Sequence, residues 1–246
     1  MGFIEETNEW EAARLGKFTA SQIHVLMGTG KTKAEYFSVG AMTYILEVAG
    51  ELITGEKADD FGGNSATEWG HANEALAVRA FEAETFMEVA YYGNANPKFY
   101  PLEQAPQFAG GSPDFETTHA VGEVKCPQKT AHHLKRLSYK NAADLKKNEP
   151  GYYGQLQFNM LCAGKEKGVF VSFDPRLKIE DMRLKIIWVD RDVSYLNELL
   201  VRLSKAIETL LEILPKEHFK LDWSTEPFVM LADHDSEVNA TIITEG

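Results

Sequence analysis

Two acids and a lysine stand at short, regular spacing in the middle of the chain. The segment G-S-P-D-F-E-T-T-H-A-V-G-E-V-K-C-P, residues 111 to 127, contains Asp114, Glu123 and Lys125. Residues two apart in a β-strand point to the same face, so Glu123 and Lys125 are expected to project together. A strand that carries charges at alternate positions presents them to solvent, to each other or to a ligand.

A tight hairpin would bring the two acids together. Val124 and Cys126 would point into an apolar layer on the opposite face of the strand. If Thr118–His119 forms the two-residue loop, Asp114 lies across from Glu123, with Cβ atoms about 4.5–5.5 Å apart. The segment therefore predicts a facing pair of carboxylates.

Two chemical interpretations of this pair remain open at this point. Adjacent carboxylates repel each other unless a cation lies between them, and hard divalent ions such as Mg²⁺ bind carboxylate oxygens. Lys125 could then orient or activate a water molecule, or stabilise charge that develops on a phosphorane. The alternative is a salt-bridge ladder on the surface of an exposed hairpin.

The rest of the sequence predicts the elements that must position these residues. Apolar spacing predicts helices over residues 8–14, 19–27 with Thr19 as N-cap, 33–53, 66–85, from Pro150 onward, and 194–214. Short β-like runs fill residues 88–125, and two longer strands are expected at 167–173 and 183–189. This order predicts an α/β fold with one central mixed β-sheet flanked by helices.

Composition and charge narrow the class of protein. The chain has 246 residues and a net charge of −12. Residues 125 to 147, however, hold seven Lys or Arg against one acid, Asp144. This segment is either a solvated helix and loop or a basic surface that binds phosphates.

No apolar run of membrane-spanning length and no secretory signal is expected. The two cysteines, Cys126 and Cys162, are expected to be free thiols.

A nucleotide-binding loop is not predicted. The G-T-G-K-T stretch at residues 28 to 32 resembles part of a phosphate-binding loop. That motif needs an earlier glycine, where this chain has Val25, and it follows a strand rather than a helix. The stretch is interpreted as a simple turn.

Several segments together resemble a known nuclease family. P-D-x₈-E-V-K matches the PD-(D/E)xK nuclease signature, and S-P-D, G-E-V-K-C-P and Y-Y-G-Q-L-Q-F-N-M resemble the phage lambda exonuclease / YqaJ-like viral recombinase family. So do R-L-G-K-F-T-A-S at residues 14 to 21, E-W-G-H-A-N-E-A at 68 to 75 and F-D-P-R at 173 to 176. The likeness runs from Trp10 to about Leu214 and implies a restriction-endonuclease-like core.

The resemblance implies a role for each matching residue of the catalytic centre. The implied metal ligands are Asp114, Glu123, the Val124 carbonyl and Glu74. Lys125 would be the catalytic lysine, and Gln155 would position the water or the scissile phosphate. We expect two Mg²⁺ ions, for which Mn²⁺ can substitute. Without the resemblance, Glu74 would be an ordinary helix acid and Gln155 part of a polar helix face.

The resemblance also implies a substrate site. Arg14, Ser21 and Ser112 would form the pocket for a 5′-terminal phosphate. Tyr152 matches the same family motif as Gln155, on the same helix, and is a further implied substrate residue. The chain departs from the family at Ala131, where an arginine is usual. Lys129, His132 or His133 could replace that phosphate contact, or the preference for a 5′-phosphate could be weaker.

The implied activity is Mg²⁺-dependent digestion of one strand of duplex DNA from the 5′ end, which leaves 3′ overhangs for recombination. The implied partners are duplex DNA ends, two further copies in a homotrimeric ring and a single-strand annealing protein, in the cytoplasm of a bacterial host. The alternatives are an endonuclease or structure-specific nuclease, a non-catalytic DNA-binding subunit and, least favoured, an acidic metabolic enzyme. We expect one nuclease domain over residues 1–215 and a C-terminal extension over 216–246.

Overall fold

A central five-stranded mixed sheet forms the core of the structure. The computed structural model describes residues 3–32, 35–58, 65–93, 96–224 and 228–232. The sheet has the strand order β2-β5-β6-β7-β8, in which β6 and β7 are parallel and the other neighbours are antiparallel. Its strands are β2 (Ala90–Tyr91), β5 (Phe115–Glu116), β6 (Ala120–Lys125), β7 (Lys167–Phe173) and β8 (Leu184–Asp190).

A small second sheet supports the segment that enters the hairpin. It has the order β1-β4-β3, with β1 parallel to β4. Its strands are β1 (Phe18–Thr19), β3 (Tyr100–Pro101) and β4 (Ala109–Gly111). Because β4 leads directly into residues 112–114, this sheet helps to position Asp114, the first acid of the motif.

Seven α-helices of the described residues surround the sheets. They are α1 (Phe3–Arg14), α2 (Val39–Thr54), α3 (Ser65–Thr85), α4 (Thr130–Leu137), α5 (Ala142–Asn148), α6 (Pro150–Cys162) and α7 (Val193–Ile213). The leucine stripe of α7 is buried and packs with α2 and a 3₁₀ helix, Ile23–Met27, in the largest apolar cluster. α3 and α6 pack on the central sheet and bring their polar residues to β6.

The sequence predicted most of these elements, and two predictions were wrong. Thr19 is not an N-cap, because it lies in β1 and pairs with Gly110; the helix that follows is a 3₁₀ helix with Gln22 as its cap. The helix expected from residue 33 begins at Val39, where Ser38 accepts a hydrogen bond from the Ala41 amide. Residues 33 and 34 lie outside the described part of the chain.

The predicted hairpin is confirmed. Phe115 pairs with Gly122 and Glu116 with Val121, which is the register of a two-residue loop at Thr118–His119. Gly122 permits this pairing, since a Cβ there would lie 2.1 Å from the Phe115 ring. The predicted mixed α/β architecture is confirmed as well.

The segment after α7 packs back on the domain. Its apolar residues join the largest cluster; they are Phe219, Leu221, Trp223, Phe228 and Leu231. Gln104 bonds both the amide (2.6 Å) and the carbonyl (3.1 Å) of Val229, and Asn197 does the same for Leu231. The described part of this segment is therefore a strap held by side-chain amides, and the division of domains at residue 215 stays a prediction.

Candidate active site

β6 places the acidic and basic residues of the motif at the centre of the sheet. Glu123 pairs with Phe170 of β7, and its side chain is fully buried. Lys125 projects on the same side, and its ammonium group contacts a Glu123 carboxylate oxygen. Val124 and Cys126 pack in the apolar cluster under α3. The alternation expected from the sequence is confirmed, and the burial of Glu123 excludes an exposed salt-bridge ladder.

Hydrogen bonds fix both acids in place. The Val124 amide donates to Asp114 Oδ2 at 2.6 Å, and the Asp114 amide donates to the Gly122 carbonyl at 3.0 Å. Asn159 of α6 donates from Nδ2 to Glu123 Oε2 at 3.3 Å. Each carboxylate is thus held by the neighbouring strand or by α6, which keeps the cluster rigid.

Glu74 of α3 completes a cluster of three acids. It is close enough to Asp114 for their charges to interact, and the Tyr91 side chain hydrogen-bonds its carboxylate. Tyr91 lies on the edge strand β2 beside Phe115. The predicted helical acid therefore lies beside the hairpin, where its side chain is partly buried.

Burial and like charge hold protons on this cluster. Burial, followed by the charge of Asp114, raises the pKa of Glu74 to about 7 and that of Glu123 to about 8. Burial also raises the pKa of Asp114. For Lys125, burial lowers the pKa, but the carboxylates of Glu123 and Asp114 outweigh it and raise the pKa above its usual value. With all three acids ionised, the cluster would carry more negative charge than one ammonium group balances, and a divalent cation would neutralise the excess.

Two cavities meet at this cluster. One has a volume of about 520 Å³ and the other about 680 Å³. Both are lined by Ser21, His71, Glu74, Asp114, Lys125 and Gln155. A strand of a polymer could therefore run from one cavity across the acids into the other.

The smaller cavity contains the residues expected to bind a 5′-phosphate. Arg14 and Ser112 line it together with Ser21. The Arg14 guanidinium lies 4.2 Å from the centre of the Trp10 ring, and Trp10 Nε1 donates to Ser112 Oγ at 3.0 Å. Ser112 Oγ in turn donates to the Lys98 carbonyl at 2.6 Å. The hydroxyl proton of Ser112 is thus already engaged, so a phosphate bound here would need to turn that hydroxyl.

The larger cavity contains the candidates for the missing arginine contact. Lys129, His132 and Tyr152 line it. His133 does not: it is fully buried, and its ring nitrogens lie 2.8 Å from Ser172 Oγ and from the Met182 carbonyl. His133 therefore packs against β7 and cannot replace the phosphate contact in this arrangement.

The F-D-P-R segment supports the end of β6. Asp174 is fully buried, and Arg176 binds it through two hydrogen bonds of 2.8 Å. Arg176 also donates to the Pro127 carbonyl at 3.2 Å and lies 4.4 Å from the centre of the Trp69 ring. This ion pair joins β7, the turn after Lys125 and the start of α3.

The residues present fit a hard divalent cation. Among the described residues, no group of three or more His, Cys, Asp or Glu side chains is arranged to enclose an ion. The fit depends instead on the chemistry of the oxygen ligands: the carboxylates of Asp114 and Glu123 and the Val124 carbonyl would hold the ion, and Glu74 lies beside them. Oxygen ligands of this kind suit Mg²⁺ or Mn²⁺.

Sequence reasoning missed several residues that shape the site. Asn159 lies four residues after Gln155, a spacing that places both on one face of α6. Trp10 lies four residues before Arg14, and His71 three before Glu74, so helical spacing could have indicated both. Tyr91 had no such signal, because a long-range contact brings β2 to α3.

Comparisons with known proteins show which family and which solved structures this chain is similar to. A family model of the YqaJ-like viral recombinase domain matches residues 9–166. The crystal structure of LHK-Exo, an alkaline exonuclease from Laribacter hongkongensis, shares 28% identity at a TM-score of 0.68; the match covers 82% of this chain and 92% of that one. LHK-Exo has also been solved in complex with dAMP.

A phage-related exonuclease from Haemophilus somnus 129PT has the same fold, with 18% identity and a TM-score of 0.64 over 82% of this chain and 96% of the other. None of the curated proteins compared with the chain matches it. No helix among the described residues has the length and apolar character needed to cross a membrane. The family model covers more than half of the chain, and the protein belongs to the YqaJ-like viral recombinase family.

Proposed function

We propose that this protein is a Mg²⁺-dependent exonuclease that digests one strand of duplex DNA from its 5′ end and leaves a 3′ overhang. The observation that carries the proposal is the acid pair Asp114 and fully buried Glu123 beside Lys125, at the junction of two cavities that basic residues also line. The relatives support a nuclease, since one of them is an alkaline exonuclease.

The complex of LHK-Exo with dAMP supports the type of substrate. A deoxynucleoside monophosphate has the chemistry of the product that an exonuclease releases from DNA. By similarity, we infer that the junction in this chain accepts a DNA strand whose scissile phosphate lies beside Asp114 and Lys125.

Each residue of the junction has a defined task in this proposal. Bound Mg²⁺ would supply Lewis acidity for water activation and for the leaving 3′-oxygen. Asp114 and Glu123 would bind the cation through their carboxylates. The Lys125 ammonium group would donate a hydrogen bond to the oxygen that becomes negative in the transition state. Gln155, which lines both cavities, orients the water or the phosphate from α6.

Preference for an end would come from the smaller cavity. Arg14 offers a planar guanidinium, a geometry that suits two parallel hydrogen bonds to a terminal phosphate. Its contact with the Trp10 ring, which also lines this cavity, would restrict its motion. Ser21, which is exposed at the junction, would accept or donate a second contact.

A labelled duplex tests this function. Linear duplex carrying a 5′ label on one sample and a 3′ label on another is incubated with Mg²⁺ or with chelator, next to a closed circular duplex. We expect labelled mononucleotide early from the 5′ sample, late release from the 3′ sample, no cut in the circle and no reaction with chelator. Cleavage of the circle would instead favour an endonuclease, and a lack of any Mg²⁺-dependent release would favour a non-catalytic subunit.

We also propose the homotrimeric ring and the annealing partner that the family resemblance implies. A ring would hold DNA topologically, which suits a chain with a net charge of −12. Light scattering of the purified protein would test this, and a monomeric mass at assay concentration would argue against the ring.

A further inference from the structure

One guanidinium nitrogen of a buried arginine in the larger cavity lacks a hydrogen-bond partner among the described residues. Arg136 of α4 is 4% exposed and lines that cavity. Its Nε donates to Glu149 Oε1 at 3.4 Å, a long contact that Glu149 shares with the Tyr139 hydroxyl. Its Nη1 is buried with no hydrogen-bond partner among the described residues. A buried cationic donor without an acceptor is costly, and such an atom indicates a ligand.

The position of Arg136 on its helix points into the binding site. His132 and Arg136 are four residues apart and share one side of α4, and Lys129 is the N-cap residue that precedes this helix. All three line the same cavity as Lys125 and Gln155. This face carries no acid, so α4 presents a basic face to whatever occupies the cavity.

Aromatic rings place Arg136 next to the catalytic centre. Its guanidinium lies 5.3 Å from the centre of the Tyr152 ring and 5.6 Å from that of Phe170. Lys125 Nζ lies 5.1 Å from the same Tyr152 ring. Both cations thus lie near the same aromatic ring, which can make a cation–π contact with each of them.

We propose that Arg136 binds a phosphate group of the digested DNA strand and performs the role left open by Ala131. This inference rests on the proposed nuclease function and deepens it, because it assigns the phosphate contact to a residue five positions further along the chain. The guanidinium fork suits two phosphate oxygens, and burial of the site strengthens each contact. The phosphate is either the terminal 5′-phosphate or an internal linkage, and the experiment distinguishes these sources.

A set of duplexes that each carry one neutral methylphosphonate linkage tests the proposal. A further pair differs only in a 5′-phosphate or a 5′-hydroxyl. For the parent protein, we expect that one phosphate other than the scissile one is sensitive. Neutralising that phosphate should slow single-turnover cleavage about tenfold or more. Arg136→Gln should cleave and bind about 10- to 100-fold more weakly and should lose sensitivity at that one group.

Matched controls separate phosphate contact from folding and from general charge. Lys140→Gln removes a positive charge from an exposed position of the same basic segment and should keep the parent profile. Arg136→Lys keeps the charge and should retain the sensitive position with weaker binding. Binding of each duplex in Ca²⁺ is measured in parallel, and thermal unfolding checks that each variant is folded.

Two results would overturn the proposal. The first is a folded Arg136→Gln variant whose cleavage depends on the position of the neutral linkage in the same way as the parent's. The second is a parent protein that is sensitive to no phosphate besides the scissile one, a result that can be obtained without any variant. A parent that binds duplex with the expected profile but releases no nucleotide in Mg²⁺ would refute the nuclease function and leave the phosphate contact standing.

Discussion

Glu74→Gln removes one negative charge from the acid cluster while it keeps the shape of the side chain. Gln retains an oxygen that accepts the hydrogen bond from Tyr91, and neither the Asp114–Val124 hydrogen bond nor the Glu123–Lys125 contact depends on residue 74. In metal-free protein, this substitution should therefore relieve repulsion and stabilise the fold. The same substitution should weaken Mg²⁺ binding, because a cation loses one nearby carboxylate.

The magnitude follows from the pKa of Glu74. Burial and Asp114 raise it from an ordinary 4.5 to about 7, so the folded protein keeps a proton that the unfolded chain has already released. The free energy of unfolding of the parent must therefore fall as pH rises between these values, and the penalty is fully present above about pH 7. At about 1.4 kcal/mol for each factor of ten, the penalty is about 3 kcal/mol at most.

Urea unfolding in chelator at about pH 4.5 and about pH 8.5 measures this effect. The variant should match the parent at the lower pH and exceed it by about 2–3 kcal/mol at the higher one. Glu82→Gln, on the same helix two turns further along, is the matched control and should change neither value. A variant with the parent's stability and pH dependence would refute the conclusion that Glu74 is part of a strained acid cluster.

Two further predictions concern the support of the site and its end preference. Arg14→Ala should slow digestion of 5′-phosphorylated ends more than that of 5′-hydroxyl ends, while binding of long duplex changes little; equal loss on both ends would reject the phosphate pocket. Arg176→Gln should lower the free energy of unfolding by about 1–3 kcal/mol, since it removes the cation beside the buried Asp174 carboxylate, and Asp174→Asn in the same chain should recover part of that loss. Urea unfolding would contradict this pairing if the double variant were no more stable than Arg176→Gln.

The local pattern of the sequence was sufficient for the hairpin and the longer elements. The alternation of charged and apolar residues placed Glu123 and Val124 on opposite faces, and a two-residue loop at Thr118–His119 was the condition for pairing Asp114 with Glu123. β7 has the predicted bounds, Lys167–Phe173, because its apolar run is buried on both faces. These features depend on spacing along the chain, which a sequence displays directly.

Other features depend on contacts between distant segments. Thr19 has the chemistry of a helix cap but pairs with Gly110, about ninety residues away, so the sheet overrode its local preference. Nor does spacing reveal that the Ser112 hydroxyl already donates to the Lys98 carbonyl, or that Arg136 is buried beside two stacked aromatic rings. The roles of the site residues were predicted from the family resemblance. Only the structure shows which of their hydrogen-bond donors are already engaged within the protein.

The most direct test of the catalytic centre is single-turnover cleavage of a 5′-labelled duplex in Mg²⁺ by the parent and by Lys125→Ala, with duplex binding measured in Ca²⁺. If the ammonium group acts mainly in the transition state, the variant should bind duplex nearly as well as the parent and lose at least about a thousandfold in cleavage rate. A folded Lys125→Ala protein that keeps most of the parent's rate would contradict a catalytic centre built on Asp114, Glu123 and Lys125.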